Sequence, residues 1–125
     1  MSPTPQRMLI VDDEDLVCDM LYDYFVSHPG LELLKASHGG LVEELIQEQP
    51  ISILLTDIVM PERDGLELVM LMRDRYPEVH VIAISAPSNT HYLDAAKRLG
   101  ATYTFEKPLD LEALGRAVDE LLSDP

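Results

Sequence analysis

Five side chains in this sequence have the types and spacing to do chemistry together. Asp12 and Asp13 close the apolar run Met8–Val11, Asp57 closes the run Ser52–Thr56, Ser85 ends the run Val81–Ser85, and Lys107 follows the run Thr102–Phe105 by one residue. Two like charges about 4 Å apart repel by roughly 4 kcal/mol at an effective dielectric near 20, so crowded acids call for a cation. Carboxylate oxygens of this kind suit Mg²⁺, which takes few protein ligands and keeps several waters. Without metal, at least one of the acids is expected to hold its proton more tightly than usual. A lysine ammonium and a hydroxyl beside a carboxylate suit the oxygens of a phosphoryl group. Each residue alone also has a plainer reading. Acids in a first helical turn favour the macrodipole, and Glu14 and Asp15 are read that way. Asp57 could cap a turn, Ser85 could be a strand-end hydroxyl and Lys107 a solvated charge. Four such accidents at the ends of four strands are less economical than one site.

The elements that would position these residues follow a strict alternation. Five short apolar runs, the four above and Leu31–Ala36, are separated by segments of helical periodicity. The first, third and fourth runs are apolar on both faces, as in central strands of a parallel sheet covered by helices. "TYTF" alternates more and reads as an edge strand. Apolar stripes are expected at Leu16, Val17, Met20, Leu21, Tyr24 and Phe25; at Leu41, Val42, Leu45 and Ile46; at Leu66, Val69 and Met70; and at Leu111, Leu114, Val118, Leu121 and Leu122. A weaker one runs from Thr90 to Leu99 through Leu93, Ala96 and Leu99. "HPG", "QP" and "YP" stop the first three helices, and Asp64 with Glu67 opens the third as a capping box. The alternation implies right-handed crossovers and an open doubly wound α/β sheet. Two strand orders are common for such sheets, and both stay open on this reasoning. In either, the carboxyl ends of the strands share one rim, where ligands bind.

Composition bounds the function. The length of 125 residues suits one domain, and the net charge of −14 argues against nucleic-acid or anionic-membrane binding. A single cysteine, Cys18, allows no intrachain disulfide and fits a reducing cytoplasm. "MSPTPQR" has no apolar stretch and reads as a disordered tail over residues 1–6, followed by one domain over 7–123. The four histidines lack metal-ligand spacing, the six methionines read as core filler, and Cys18 reads as a packing residue. Tyr22 lies off the first helix's stripe, where it could meet a partner.

The pieces "LIVDDE", "LLTDIVMPERDGLEL", "VIAISA" and "GATYTFEKPL" together resemble a response regulator receiver domain of two-component signalling. The separations agree with that family: 57 − 13 = 44, 85 − 57 = 28 and 107 − 85 = 22. The resemblance implies a flavodoxin-like fold with sheet order 2-1-3-4-5. It implies that Asp57 accepts a phosphoryl group from a histidine kinase or phosphotransfer protein. Mg²⁺ would be bound by Asp13, Asp57 and the backbone carbonyl of Val59, with Asp12 acting through a water. Lys107 would pair with Asp57 and then with the phosphoryl, and Ser85 would donate its hydroxyl to it. Lys107–Pro108 would be a cis peptide. The family implies a cytoplasmic signalling protein whose output lies with a separate effector domain or a downstream partner, with a homodimer left open.

The chain departs from that pattern at Thr104, the switch position, where the family usually carries an aromatic ring. Tyr103 and Phe105 beside it should face the other side of the strand. A muted surface change on phosphorylation is therefore expected. Arg63 stands where an apolar residue is frequent and could touch a partner. Pro87 and Val59 flank the site and are expected to slow self-dephosphorylation. Three rivals are weaker. A haloacid-dehalogenase-type phosphatase needs a second aspartate where Val59 stands, a flavodoxin needs a hydroxyl- and glycine-rich loop where "DDED" stands, and a docking or dimerisation module would not need the acid set.

Overall fold

A computed structural model describes residues 6–60 and 64–123. Five strands and five helices alternate: β1 (Gln6–Val11), α1 (Asp15–Phe25), β2 (Leu31–Ala36), α2 (Val42–Glu48), β3 (Ile53–Asp57), α3 (Gly65–Arg75), β4 (His80–Ser85), α4 (Thr90–Leu99), β5 (Tyr103–Glu106) and α5 (Leu111–Ser123). Short 3-10 turns at Gly39–Leu41 and Pro87–Asn89 lead into α2 and α4. All strand pairs are parallel and the sheet order is β2-β1-β3-β4-β5. This is the doubly wound architecture expected, and β5 is an edge. Of the expected tail, Gln6 already pairs with Leu31 in β1, and residues 1–5 lie outside the described residues, as does Arg63.

The sheet divides the core in two, because successive side chains of a strand point to opposite faces. Leu9, Val11, Leu54, Val81 and Ala83 face α2, α3 and α4, where they meet Val42, Ile46, Leu68, Val69, Met72, Leu93 and Ala96. Met8, Ile10, Ile53, Leu55, Ile82 and Ile84 face α1 and α5, where they meet Cys18, Leu21, Phe25, Leu114, Val118 and Leu121. β1, β3 and β4 are buried on both faces, which is why they read as continuous apolar runs.

The helix stripes need correction in three places, one of them Leu41, which lies in the 3-10 turn before α2 and is exposed. On α1 the buried face is Cys18, Leu21 and Phe25, while Leu16, Met20 and Tyr24 are turned to solvent, Leu16 at 84% exposure. On α3 it is Gly65, Leu68, Val69 and Met72 rather than a stripe through Leu66 and Met70. Tyr22 is half-buried against the α1/α5 core with the Lys35 ammonium 4.8 Å from its ring centre, so it is a packing residue. Among the methionines, Met8, Met60 and Met72 are core residues and Met20 is exposed.

Candidate functional site

The rim at the carboxyl ends of the strands gathers the expected residues. Asp12 directly follows β1, Asp57 is the last residue of β3, Ser85 the last of β4, and Lys107 directly follows β5. Register fixes their approach: Asp57 lies opposite Ile84, and Ser85 opposite Glu106. The Lys107 backbone N–H donates to the Ser85 carbonyl at 2.8 Å, which ties the lysine to the end of β4. The Lys107–Pro108 bond is cis.

The loop after Asp57 is held from below. The Ile58 N–H donates to the Ile84 carbonyl at 3.0 Å, and the Gly65 N–H to the Ile58 carbonyl at 2.8 Å. Asp64 caps α3 by accepting from the Leu66 N–H at 2.8 Å. Gly65 is needed for a steric reason: a Cβ there would stand 2.5 Å from both the Asp57 carbonyl oxygen and Ile58 Cα. The start of α3 thus rests directly on the backbone of the residue at the centre of the site.

Asp12, Asp13 and Asp57 bring one carboxylate oxygen each to within 4.8 Å of one another, the only such group of potential metal ligands among the described residues. Asp12 and Asp57 are buried and Asp13 is exposed. Lys107 Nζ lies 3.0 Å from Glu14 Oε1, 3.1 Å from Asp12 Oδ2 and 3.3 Å from Asp57 Oδ2. The Asp12 contact is an ion pair without hydrogen-bond geometry, so the fully buried Oδ2 has no hydrogen-bond donor among the described residues. Its other oxygen accepts from the Glu14 N–H at 2.9 Å. Asp57 Oδ1 accepts from the Val59 N–H at 3.3 Å.

Burial dominates the electrostatics. It pushes the Asp12 carboxyl up to about 6, helped by the charge of Asp57 and opposed by the Glu14 N–H and Lys107. Burial also raises Asp57, against the nearby Lys107 charge. Burial alone would lower Lys107, but its hydrogen bond to Glu14, its close ion pair with Asp12 and the charge of Asp57 hold it well above its ordinary value. Buried carboxylates, one of them lacking a donor, beside an exposed third describe an oxygen-only pocket short of positive charge. That donor set fits a hard divalent cation of the Mg²⁺ type.

A cavity of about 310 Å³ opens over these groups, lined by Asp13, Glu14, Asp57, Val59, Ala86, Asn89 and Lys107. Val59 is 45% exposed at its edge. Pro87, expected at the site, is exposed and outside this lining. Ser85 is fully buried and its hydroxyl donates to the Asn89 carbonyl at 3.5 Å, so it is engaged with the loop before α4. Thr104 lies opposite Ala83 and is half-buried, while Tyr103 and Phe105 pack on the α1/α5 face. Cys18 is buried beneath the rim and donates its thiol proton to the Asp12 carbonyl at 3.3 Å.

One site residue escaped the sequence reading. Glu14, taken for an ordinary helix-start acid, contacts Lys107 across 93 positions of sequence. No local pattern announces such a pair.

The model of the response regulator receiver domain family matches residues 8–119. The TorCAD operon transcriptional regulatory protein TorR of Escherichia coli O157:H7 is 32% identical over 118 residues, covering 94% of this chain and 50% of that protein. Sporulation initiation phosphotransferase F of Bacillus subtilis (strain 168) is 26% identical over 117 residues, covering 94% of each chain. The solved receiver domain of the TMAO respiratory system response regulator TorR superposes with a TM-score of 0.86 at 29% identity, covering 94% of this chain and 97% of that one. The chain spans about half the length of several of the curated relatives it matches, 47% of the stress response regulator protein 1 of Candida tropicalis among them.

Proposed function

The chain belongs to the response regulator receiver domain family of two-component signalling, and we propose that Asp57 is its phosphoacceptor. The observation that carries this reading is the setting of Asp57, a buried carboxylate among Asp12, Asp13 and the Lys107 ammonium 3.3 Å away. An Asp57 carboxylate oxygen bonds to phosphorus as the P–N bond of a phosphohistidine breaks. The histidine nitrogen keeps the electron pair and takes its proton from solvent. Lys107 then follows the charge outward onto a phosphoryl oxygen. Ser85 leaves the Asn89 carbonyl to donate to another, drawing in the loop before α4. Thr104, below that loop, fills the switch position without a ring.

Asp13, Asp57 and the Val59 carbonyl would hold Mg²⁺, with Asp12 acting through a water. When bound there, the ion offsets the carboxylate charge and offers the phosphoryl oxygens a positive centre. The chain's own residues orient the acceptor oxygen, exclude bulk water from Asp12 and supply the ammonium. Receiver domains are in general phosphoacceptors rather than enzymes, and turnover by this one is limited to taking up and slowly losing a phosphoryl group.

Receiver domains interact with histidine kinases or phosphotransfer proteins, and the face offered to such a donor here is α1. Leu16, Met20 and Tyr24 form an exposed row at i, i+4 and i+8, with Leu16 one turn from the rim. Such a row buries well against an apolar stripe on a donor helix while its phosphohistidine reaches Asp57. No helix among the described residues is long and apolar enough to cross a membrane. A single cysteine, buried as a free thiol, suits the reducing cytoplasm in which we place the protein. The output is a change of partner binding or of an attached effector domain.

The test is incubation with phosphoramidate and Mg²⁺, read by intact mass. The wild type should gain the mass of one phosphoryl group and Asp57→Asn should gain none. Equal labelling of the two proteins would refute the assignment.

A further inference from the structure

Glu14 holds the N-cap position of α1, yet its side chain makes no capping hydrogen bond. Glutamate is also outside the preferred set of capping residues. Side-chain capping therefore does not account for this carboxylate. It reaches instead across the mouth of the site to Lys107, at the shortest of that lysine's three carboxylate distances. The three partners differ in burial: the Asp12 and Asp57 side chains are 0% and 8% exposed, and that of Glu14 is 63% exposed. The ammonium is thus shared between two interior acids and one at the surface.

We propose that Glu14 is a positioning residue that acts through Lys107: its carboxylate detains the ammonium at the mouth of the site and so sets how fast Asp57 takes up a phosphoryl group. The inference rests on the reading of Asp57 as acceptor. Phosphoryl uptake moves negative charge onto oxygens beside Asp57, and Lys107 must leave one partner to meet it. The Glu14 contact is the one to give up, because a solvated ion pair contributes little and its carboxylate is rehydrated on release. Until then it withholds part of the lysine's charge from Asp57 and sets a negative charge in the path of an anionic donor. Both effects slow uptake, and both belong to this chain's own side chains.

The experiment compares wild type, Glu14→Gln and Glu14→Asp. Glutamine keeps the shape and removes the charge. Aspartate keeps the charge but is one methylene shorter, which draws the carboxylate back from the 3.0 Å contact with Lys107. Phosphoryl uptake from phosphoramidate with Mg²⁺ is timed by intact mass. Separately, the Lys107 side-chain ammonium is followed by ¹⁵N NMR in metal-free, unphosphorylated protein. Uptake two- to five-fold faster in both variants is expected, about the range an exposed ion pair covers, together with a displaced Lys107 signal in both. Unchanged uptake in Glu14→Gln overturns the proposal. So does a Glu14→Asp variant that matches wild type while Glu14→Gln is faster, since charge alone would then explain the effect. An unmoved Lys107 signal overturns it as well. If no protein, wild type included, takes up phosphoryl, the acceptor reading fails and the rate role of Glu14 with it, whereas the NMR signal still reports whether Glu14 holds the lysine.

Discussion

Asp12 illustrates how one side chain can oppose the fold that contains it. It is fully buried, one of its oxygens lacks a donor among the described residues, and its carboxyl is raised from 3.8 to about 6. Because the folded value lies above the unfolded one, the native state binds a proton that the unfolded chain has already released. The resulting stabilisation is complete below pH 3.8 and is lost as pH rises through about 6. At 1.36 kcal/mol per pH unit, that shift amounts to about 3 kcal/mol. Urea unfolding in chelator should therefore show Asp12→Asn more stable than wild type at pH 7, by up to this amount, with the gap closing towards pH 4. Added Mg²⁺ should stabilise wild type and do much less for the variant. A gap of the same size at both pH values would mean that the Asp12 charge is not the cause. The direction of the shift was expected from sequence on the ground that the acids repel, but its larger cause is burial, which the sequence does not display, with the Asp57 charge adding less. The contact between Glu14 and Lys107 was not expected, because it depends on two strand ends whose spacing is set by tertiary structure.

Among the elements, the junction between β3 and α3 is the least tolerant. A methyl group on Gly65 would stand 2.5 Å from the Asp57 carbonyl oxygen and 2.9 Å from the Ile58 carbonyl oxygen, both backbone atoms that cannot turn aside. Gly65→Ala should cost about 1–3 kcal/mol of stability and slow phosphoryl uptake, since the strain falls on the backbone of Asp57. Gly115 on α5 offers the control. A Cβ there meets the outer end of the exposed Tyr24 ring, its hydroxyl at 3.3 Å and Cε1 at 3.5 Å, side-chain atoms rather than backbone. Denaturant midpoints and uptake rates of the two variants check this, and a Gly65→Ala protein as stable and as fast as wild type would rule it out. Strand boundaries were legible because polar residues cut sharply into apolar runs. The inward face of α1 was not. Its apolar residues cover more than half the helix circumference, so periodicity alone could not separate the buried Cys18, Leu21 and Phe25 from the exposed Leu16, Met20 and Tyr24. On α3 the same weakness hid Leu68 and Met72 behind Leu66 and Met70.

For the molecule as a whole, the parallel sheet delivers every strand's carboxyl end to one rim, so strict β-α alternation together with the polar residues that end the runs pointed to the candidate site. The choice of sheet order came from family resemblance, since alternation is compatible with either winding. The rim and the exposed row of α1 are adjacent but separate surfaces, and they should be separable by mutation. Leu16→Asp should slow transfer from any phosphohistidine protein that loads the wild type, by about five- to ten-fold, the loss expected when an apolar anchor of an interface is removed. Uptake from phosphoramidate should follow wild type. Slowing of both would move Leu16 into the site, and slowing of neither would take donor docking off α1. The Gly65 contact also has a mechanical meaning at this scale. With no gap between the backbone of Asp57 and the first turn of α3, the joint has no backlash. A shift at the end of β3 is handed directly to a helix of 11 residues, about 16 Å long.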